Sequence, residues 1–468
     1  MILYSTLSYI KLLTIYMADS KMKLETDSFP YFFLACKWRF KYMNNEKLKK
    51  YQLKKAQAIV NFAYNNSPYF HDHFRGYNLK DVWSLPITNK KLMMENLSDY
   101  NTLGFKKHDM INFCLEIEKT QNYNRRFYKH NLAMSSGTSG NKGIVLTSPE
   151  EEKYLQAALF ARFPLPRVLK IKWAFILRVS TPAFNVSKFG QRLTYISQLN
   201  TLENIKDQLG ELNPNILSAP PSMLQILAKE VNASRLNIKP KRVVSYAEVL
   251  SPDVKDELEQ IFGVKVHQIY QGSEGPIAMS CKYGSLHLNE DLIYVQTVGF
   301  DGQSTPPGES CYKIIITDLN KRSQPIIRFE LDDSILISES SCRCGSSFRV
   351  IEKIIGRTDD LYWAQRSDCD ELQCIFPDYI RRAIISSSDE IEEYQALQKD
   401  FTTILIRIYL KAENIDKEQI INSISRNVKN VFTSYKCVEP DLKVIFEKPI
   451  RNPNSNKLIR IIRDFEID

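Results

Sequence analysis

Apolar and polar positions alternate with a period that changes along the chain. Between residues 38 and 100 the apolar side chains recur at helical spacing, and Trp38–Tyr64 is predicted as a helix with a lysine-rich face. From about residue 130 to 355 short apolar runs alternate with helical stretches, as in the predicted strand Arg242–Tyr246 and the predicted helix Pro252–Phe262. This alternation indicates crossover connections and a largely parallel sheet.

The pattern changes again in the last third of the chain. Residues 290–355 are rich in strands and lack helices, which predicts an antiparallel meander or a small barrel. Further on, a strand at Phe401–Leu410, an amphipathic helix at Lys417–Val431 and a strand at Leu442–Phe446 predict a small α+β unit.

The chain of 468 residues is too long for one compact core, so we expect two domains. The large one spans residues 1–355, of which 1–120 are mainly helical, and carries parallel strands and the barrel-like part. The small α+β one spans residues 356–468. The protein is therefore predicted to be α/β, and Gly356–Asp360 is the best candidate for a hinge.

Composition and charge narrow the class of protein. The 24 Tyr, 24 Phe and 4 Trp residues exclude a disordered chain. The net charge of +9 suits nucleic acid or an anionic membrane as partners, and it equally suits an enzyme that binds a polyphosphate. The sequence lacks a helix-turn-helix, zinc-finger or RNP pattern, which disfavours a nucleic-acid binder. Nine cysteines, an odd number, and no secretory cleavage pattern predict a cytoplasmic protein.

The N-terminal stretch Met1–Met17 is apolar and aromatic, but Lys11 interrupts it and it is shorter than a membrane span. We favour an amphipathic helix that packs on the protein, and a peripheral membrane contact is the alternative.

A loop of glycines, hydroxyl side chains and lysine follows residue 134. Glycines let the backbone amides point inward, hydroxyls add donors and lysine adds positive charge, which together predict a polyphosphate cradle. The alternative is a flexible solvated loop. The residues are Ser135, Ser136, Gly137, Thr138, Ser139, Gly140, Asn141, Lys142 and Gly143.

A second group, Tyr270-Gln271-Gly272-Ser273-Glu274-Gly275, follows an apolar strand and so lies at its carboxyl end, where ligands of such sheets gather. There Tyr270 can stack on a base and Glu274 can hold Mg²⁺ against phosphate oxygens. A strand-to-turn junction with glycine, however, needs no ligand.

In this order the segments resemble the adenylate-forming superfamily, specifically its phenylacetate–CoA ligase-like branch, which includes coenzyme F390 synthetases and CapK-type proteins. The glycine-rich loop resembles the phosphate loop of that superfamily. Ala247-Glu248 is similar to the segment beside the adenine, and Tyr270–Glu274 to the Y-G-x-[ST]-E motif. The resemblance implies that Tyr270 stacks on adenine and Glu274 binds Mg²⁺, while Gln271 departs from the usual glycine.

Three later segments extend the resemblance to the C-terminus. Pro325–Asp333 is similar to P-L-I-R-Y-x-x-x-D, and Gly356–Asp360 to the G-R-x-D-D hinge. The resemblance implies that Asp333 and Arg357 hold the ribose and that Asp359 is the pivot. In Asn452–Arg460 it implies that Lys457 is the catalytic lysine.

The resemblance implies a ligase that uses ATP and Mg²⁺ to activate a carboxylic acid as an acyl adenylate, with a mobile C-terminal lid. The reacting carboxylate and phosphate are both anions, so the site needs cations and backbone amides that offset their charge. A carboxylate is already a nucleophile, so no general base is needed. The acceptor stays open among coenzyme A, an amine, a hydroxyl and a carrier thiol, because Leu361–Cys369 lacks the glycine of the coenzyme A-binding turn. The alternatives are transfer of AMP to a hydroxyl and a non-catalytic nucleotide-binding protein.

Three cysteines and a histidine form a candidate metal site. Cys342 and Cys344 lie on one tight turn, with Cys281 and His287 upstream, and Cys₃His is a sound ligand set for structural zinc. The spacing is not that of a standard zinc finger, and buried, unconnected side chains are the alternative. The family resemblance implies a comparable set and so favours zinc.

Overall fold

The computed structural model describes residues 28–120, 122, 124–134, 143–166, 168, 170–177, 186–188, 191–198, 200–357, 361–370, 372–375, 377–412, 415–451 and 458–465. The helices are α1 Phe29–Tyr42, α2 Asn45–Asn66, α3 Pro68–His73, α4 Lys90–Glu95, α5 Leu97–Tyr100, α6 Lys107–Thr120, α7 Pro149–Arg162, α8 Leu202–Leu212, α9 Pro221–Asn232, α10 Pro252–Phe262, α11 Pro377–Ile385 and α12 Lys417–Ser434.

The strands are β1 Asn131–Met134, β2 Ile144–Thr147, β3 Ile171–Leu177, β4 Val186–Lys188, β5 Gln191–Ser197, β6 Ile216–Ala219, β7 Arg242–Tyr246, β8 Val266–Gly272, β9 Gly275–Ser280, β10 Leu286–Leu288, β11 Ile293–Val298, β12 Lys313–Asp318, β13 Phe329–Leu331, β14 Asp333–Ile337, β15 Val350–Arg357, β16 Tyr362–Gln365, β17 Leu372–Ile375, β18 Ile391–Gln398, β19 Thr403–Leu410, β20 Asp441–Ile445 and β21 Ile461–Arg463.

A ten-stranded mixed sheet forms the centre, in the order β14-β15-β10-β9-β8-β7-β6-β3-β5-β4. Strands β5, β3, β6, β7 and β8 pair in parallel, which confirms the predicted crossovers, and the remaining pairs are antiparallel. Helices α8, α9 and α10 pack on one face of the parallel part, and α7 packs on the other. The carboxyl ends of β7 and β8 therefore open on the same edge.

The α/β class is confirmed, and two local expectations change. The predicted helix Trp38–Tyr64 is two helices, because the first helix ends at Tyr42. Asn44 caps α2 by accepting a hydrogen bond from the Lys47 amide at 2.9 Å. Asn89 caps α4, and the hydroxyl of the preceding Thr88 donates to the Ile327 carbonyl. The barrel-like part expected within residues 290–355 is divided between the sheet β11-β12-β13 and the edge of the central sheet.

Near the C-terminus a four-stranded sheet has the order β20-β19-β18-β21. Helix α12 covers it, and its buried residues Ile420, Ile424, Val428 and Phe432 recur every four positions, as one helix face requires. They belong to a core formed by residues 362–461, apart from the cores on the central sheet. Within the described residues, no helix is long and apolar enough to cross a membrane.

Candidate functional site

Six of the predicted site residues line one cavity of 2140 Å³ at the carboxyl edge of β7 and β8. They are Ala247, Glu248, Tyr270, Gln271, Glu274 and Asp333. Other predicted residues lie outside the described part of the chain, namely Ser135, Ser136, Gly137, Thr138, Ser139, Gly140, Lys142, Asp359 and Lys457, and the Arg357 side chain is not described either. Met134 and Leu458, which flank two of these gaps, also line the cavity.

A hydrogen bond joins two of the predicted nucleotide-binding residues. The Tyr270 hydroxyl, near the end of β8, donates to Oδ2 of Asp333, the first residue of β14, at 2.5 Å. Burial and the Asp333 carboxylate hold the pKa of Tyr270 well above its usual range, so it stays a neutral donor. The β14–β15 register places Asp333 opposite Arg357. The backbones of the two residues predicted to hold the ribose are therefore paired across adjacent strands.

The carboxylate of Glu274 is held at the tip of a hairpin. Gly272 pairs with Gly275, so Ser273 and Glu274 form a two-residue turn between β8 and β9. The Ser273 hydroxyl donates to Oε1 of Glu274 at 2.8 Å, and Glu274 is only 8% exposed. A carboxylate fixed on a short turn and directed at a large cavity is a suitable oxygen ligand for Mg²⁺.

The segment after β7 lies beside this turn but engages a helix. Ala247 has a φ of +67°, a left-handed backbone conformation that is uncommon for residues with a side chain. Both carboxylate oxygens of Glu248 accept hydrogen bonds from Ser222, one from its amide at 3.2 Å and one from its hydroxyl at 3.1 Å. Because Glu248 stabilises the N-terminus of α9 in this way, its backbone rather than its carboxylate is available to a ligand.

One cationic residue of this region was missed in the sequence analysis. Lys321 lines a small cavity of 10 Å³ together with Gly143, Ser273 and Glu274, and it is 8% exposed. Within the described residues, its ammonium makes no hydrogen bond and no ion pair, but the buried Asp318 carboxylate interacts with its charge. A buried cation with this partial compensation favours a further anion beside it. Lys321 lies in an irregular loop that belongs to no motif, so no sequence pattern distinguishes it from the other lysines.

The predicted metal ligands Cys281, His287, Cys342 and Cys344 come together, with all four ligand atoms within 4.8 Å of one another. The Sγ atoms of Cys281 and Cys342 are 3.8 Å apart, and Cys344 Sγ lies 3.4 Å from His287 Nε2. Tetrahedral zinc, with bonds of about 2.3 Å to sulfur and about 2.0 Å to nitrogen, requires separations of about 3.8 and about 3.5 Å. The arrangement fits zinc.

Hydrogen bonds around the cluster also favour a metal. Backbone amides donate to the sulfurs of Cys281, Cys342 and Cys344, each at 3.4 Å. The other ring nitrogen of His287 lies 2.9 Å from the Phe348 carbonyl, which leaves Nε2 available as a ligand. Burial and the neighbouring cysteines raise the pKa of Cys344 to about 12, so three thiolates need a cation between them.

No protein-family model matches the chain. The chain is 25% identical over 380 residues to the phenylacetate–coenzyme A ligase of Thermus thermophilus, which covers 75% of this chain and 78% of that protein. It is 25% identical over 234 residues to protein CapK of Staphylococcus aureus, which covers 48% of this chain and 49% of CapK.

Solved structures share the fold over nearly the whole chain. A 2-hydroxyisobutyryl-CoA ligase in the postadenylation state, in complex with R3-HIB-AMP, superposes with a TM-score of 0.69 at 16% identity, and the match covers 95% of this chain and 94% of that one. The same ligase in the thioesterification state, with 2-HIB-AMP and CoA, gives 0.54 at 17% identity over 91% of each chain.

Proposed function

Because the chain belongs to the adenylate-forming superfamily, in its phenylacetate–CoA ligase-like branch, we propose that it is an ATP-dependent ligase that activates a carboxylic acid as an acyl adenylate. The observation that carries the proposal is the single cavity that joins Tyr270, Asp333 and Glu274. It brings a stacking surface, a carboxylate for ribose hydroxyls and a buried metal ligand within reach of one nucleotide.

In the proposed reaction a carboxylate oxygen of the acid attacks the α-phosphorus of ATP. The bond from that oxygen to phosphorus forms, the bond to the bridging oxygen of the β-phosphate breaks, and pyrophosphate leaves with both bonding electrons. Negative charge grows on the leaving group, so the site must supply cations that are already in position. Glu274 would hold Mg²⁺ there, which neutralises phosphate charge when bound, and we assign Lys457 to the α-phosphate of the transferred adenylyl group.

The proposal for the site residues outside the described part of the chain rests on their neighbours in sequence. Leu458 follows Lys457 directly and lines the cavity. Met134 precedes the glycine-rich loop and lines the same cavity, whereas Gly143 ends the loop beside Ser273 and Glu274. We therefore keep residues 135–142 as the polyphosphate loop, and Arg357 and Asp359 as the ribose contact and the pivot.

Lys321 supplies an additional cation in this proposal. It lines the cavity of 10 Å³ next to Gly143, Ser273 and Glu274 and does not line the large cavity, so we propose that its charge acts on the phosphates from behind the hairpin rather than by direct contact. Lys321→Met should weaken the binding of Mg²⁺-pyrophosphate about tenfold or more, and Lys321→Arg should restore part of it. Lys55→Met is the control, because Lys55 contacts the same loop through Asn320 without lining the small cavity.

The acid is proposed to have an apolar body. Phe160, Phe175, Leu193, Ile269 and Met279 line the cavity and belong to one apolar cluster. A preformed pocket of this kind binds apolar groups and orients them through few polar contacts. The relatives named above include coenzyme A ligases, so a coenzyme A thiol is the first acceptor to test, with amine, hydroxyl and carrier thiol as the others.

We propose that residues 356–468 act as a lid on residues 1–355. The core of residues 362–461 is separate, and two ion pairs connect it to the helices beside the cavity. Arg381 lies 2.5 Å from Asp253, and Lys229 lies 3.2 Å from Glu392. Exposed pairs of this type are weak, so they can break and re-form during closure.

Zinc is proposed at Cys281, His287, Cys342 and Cys344 as a structural ion. All four positions are filled by protein ligands, so no position is left for a substrate. None of the eight cysteines with described side chains forms a disulfide, which supports a reducing compartment such as the cytoplasm.

The test is ATP–pyrophosphate exchange with pooled aryl, fatty and amino acids. The wild type should exchange with one pool, and Lys457→Ala should lose about a hundredfold or more of that rate with the fold intact. Lys443→Ala, an exposed lysine in β20, is the matched control and should behave like the wild type. Exchange that is unchanged in Lys457→Ala would refute the assignment of the lysine, and no exchange with any acid would refute acid activation.

A further inference from the structure

Helix α1 has three aromatic residues at the centre of its solvent-facing side. Tyr31, Trp38 and Tyr42 are 40%, 49% and 58% exposed. At about 100° per residue, spacings of seven and four positions place them on one stripe. The fully buried Cys36 lies on the opposite side, where the helix packs on the protein. These three residues, named here the α1 aromatic face, therefore do not pack in the buried core.

Exposed lysines lie on one flank of this face and along the helix that follows it. Lys37 and Lys41 are exposed on one flank of α1, and the exposed residues Lys47, Lys49, Lys50 and Lys54 follow on α2. Residues 28–54 contain seven basic residues and one acidic residue, Glu46, which pairs with Lys50 at 2.7 Å. Arg39 is turned inward to Asp291. The outward charge of this surface is thus almost entirely positive.

This combination fits the interface of an anionic membrane. Trp and Tyr rings are amphipathic and concentrate at the level of lipid headgroups, while lysines beside them interact with anionic lipids. The chain that leads into α1 has matching chemistry, since residues 2–16 contain Lys11 as their one charged residue. Single-stranded RNA also attracts aromatic and basic residues, but it is bound along a groove, and this face is a convex helix.

We propose that the α1 aromatic face, with its flanking lysines, docks the protein on the surface of an anionic phospholipid membrane. The contact is interfacial, with the rings among the headgroups and the helix parallel to the bilayer. The proposal does not depend on the chemistry assigned to the cavity.

The experiment is flotation of the full-length protein with vesicles of phosphatidylcholine and of equal parts phosphatidylcholine and phosphatidylglycerol. We expect binding to the anionic vesicles alone, weakened by salt. The double variant Trp38→Ala/Tyr42→Ala should lose about tenfold or more in binding. Lys37→Ser/Lys41→Ser should lose roughly fivefold for each lysine. Both should keep the wild-type midpoint in denaturant melts, which shows that they fold.

Controls distinguish binding through this face from nonspecific adsorption of the protein to vesicles. Tyr128→Ala removes an aromatic ring that is 79% exposed outside α1 and should bind vesicles like the wild type. Brominated lipids should quench the fluorescence of the wild type, and Trp38→Phe should lose that quenching. Equal binding to neutral and anionic vesicles, or wild-type binding by both double variants, would overturn the proposal. Binding to single-stranded RNA without binding to vesicles would overturn it in favour of a nucleic-acid surface.

Discussion

The glycine before the metal-binding turn has a specific role that one methyl group can test. An ideal Cβ built on Gly272 lies 2.6 Å from Oε2 of Glu274, where ordinary contacts begin near 3.4 Å. Gly272 does not have a left-handed φ, so alanine adds no backbone strain there. The atom that must move is the end of a flexible side chain. Gly272→Ala should therefore displace the carboxylate by about 0.8 Å and leave the hairpin intact.

The expected loss follows from the tolerance of a metal site. Ligand distances in such sites hold to about 0.2 Å, so the displaced carboxylate cannot keep its bond to Mg²⁺ in the proposed site. Loss of one electrostatic contact to the developing charge costs about 10²-fold or more in kcat, which is about 2.7 kcal/mol. We expect slower exchange and a higher Mg²⁺ concentration at half-maximal rate, with a change in unfolding free energy below about 1 kcal/mol.

Two other glycines are controls for this measurement. Gly275→Ala combines a φ of +153° with a Cβ 2.8 Å from Ile293 Cδ1, so it should lose stability as well as activity. Gly210 lies within α8 with no atom near an added Cβ, and Gly210→Ala should stabilise the protein by about 0.5 to 1 kcal/mol. Full exchange and normal Mg²⁺ dependence in Gly272→Ala would refute the role given to Glu274.

Three further predictions test the core and the metal cluster. Cys344→Ser should remove zinc from the purified protein and destabilise it by roughly 3 kcal/mol or more, as read by metal analysis and denaturant melts; full zinc content would refute the ligand assignment. Asp291→Ala leaves Arg39 and Arg162 without their buried carboxylate and should cost about 3 to 5 kcal/mol, whereas loss of the exposed Asp72–Arg75 pair should cost almost nothing. Burial raises the pKa of Asp318 to about 6, so the stability of the wild type relative to Asp318→Asn should be greatest below pH 4 and fall by about 3 kcal/mol as the pH rises through 6; a pH-independent difference in urea melts would contradict the buried titration.

Many strands and helices of the parallel part were predictable, because the hydrophobic pattern of each segment's own residues indicates its type. The predicted strand Arg242–Tyr246 and helix Pro252–Phe262 have the same bounds in the structure. Pairings between distant segments were not predictable in this way. Residues 290–355 have the alternation of strands, but their division between two sheets depends on partners such as β10, which pairs with β15 across the sheet. The break at Asn44 was missed because Asn is tolerated inside a helical pattern and its capping bond depends on backbone geometry.

In the candidate site, too, sequence motifs identify single residues, whereas the contacts between those residues depend on the fold. Its motifs marked Glu274 and Asp333 separately, but the Tyr270–Asp333 hydrogen bond joins residues 63 positions apart, and only the fold brings them together. That bond has a consequence for binding, since the oxygen that accepts from Tyr270 is one of the two that ribose hydroxyls would use. A ribose must therefore share Asp333 with the tyrosine or displace its hydroxyl. Tyr270→Phe, which keeps the ring and removes the donor, should consequently retain adenine stacking and change ATP affinity less than Tyr270→Ala, which removes both.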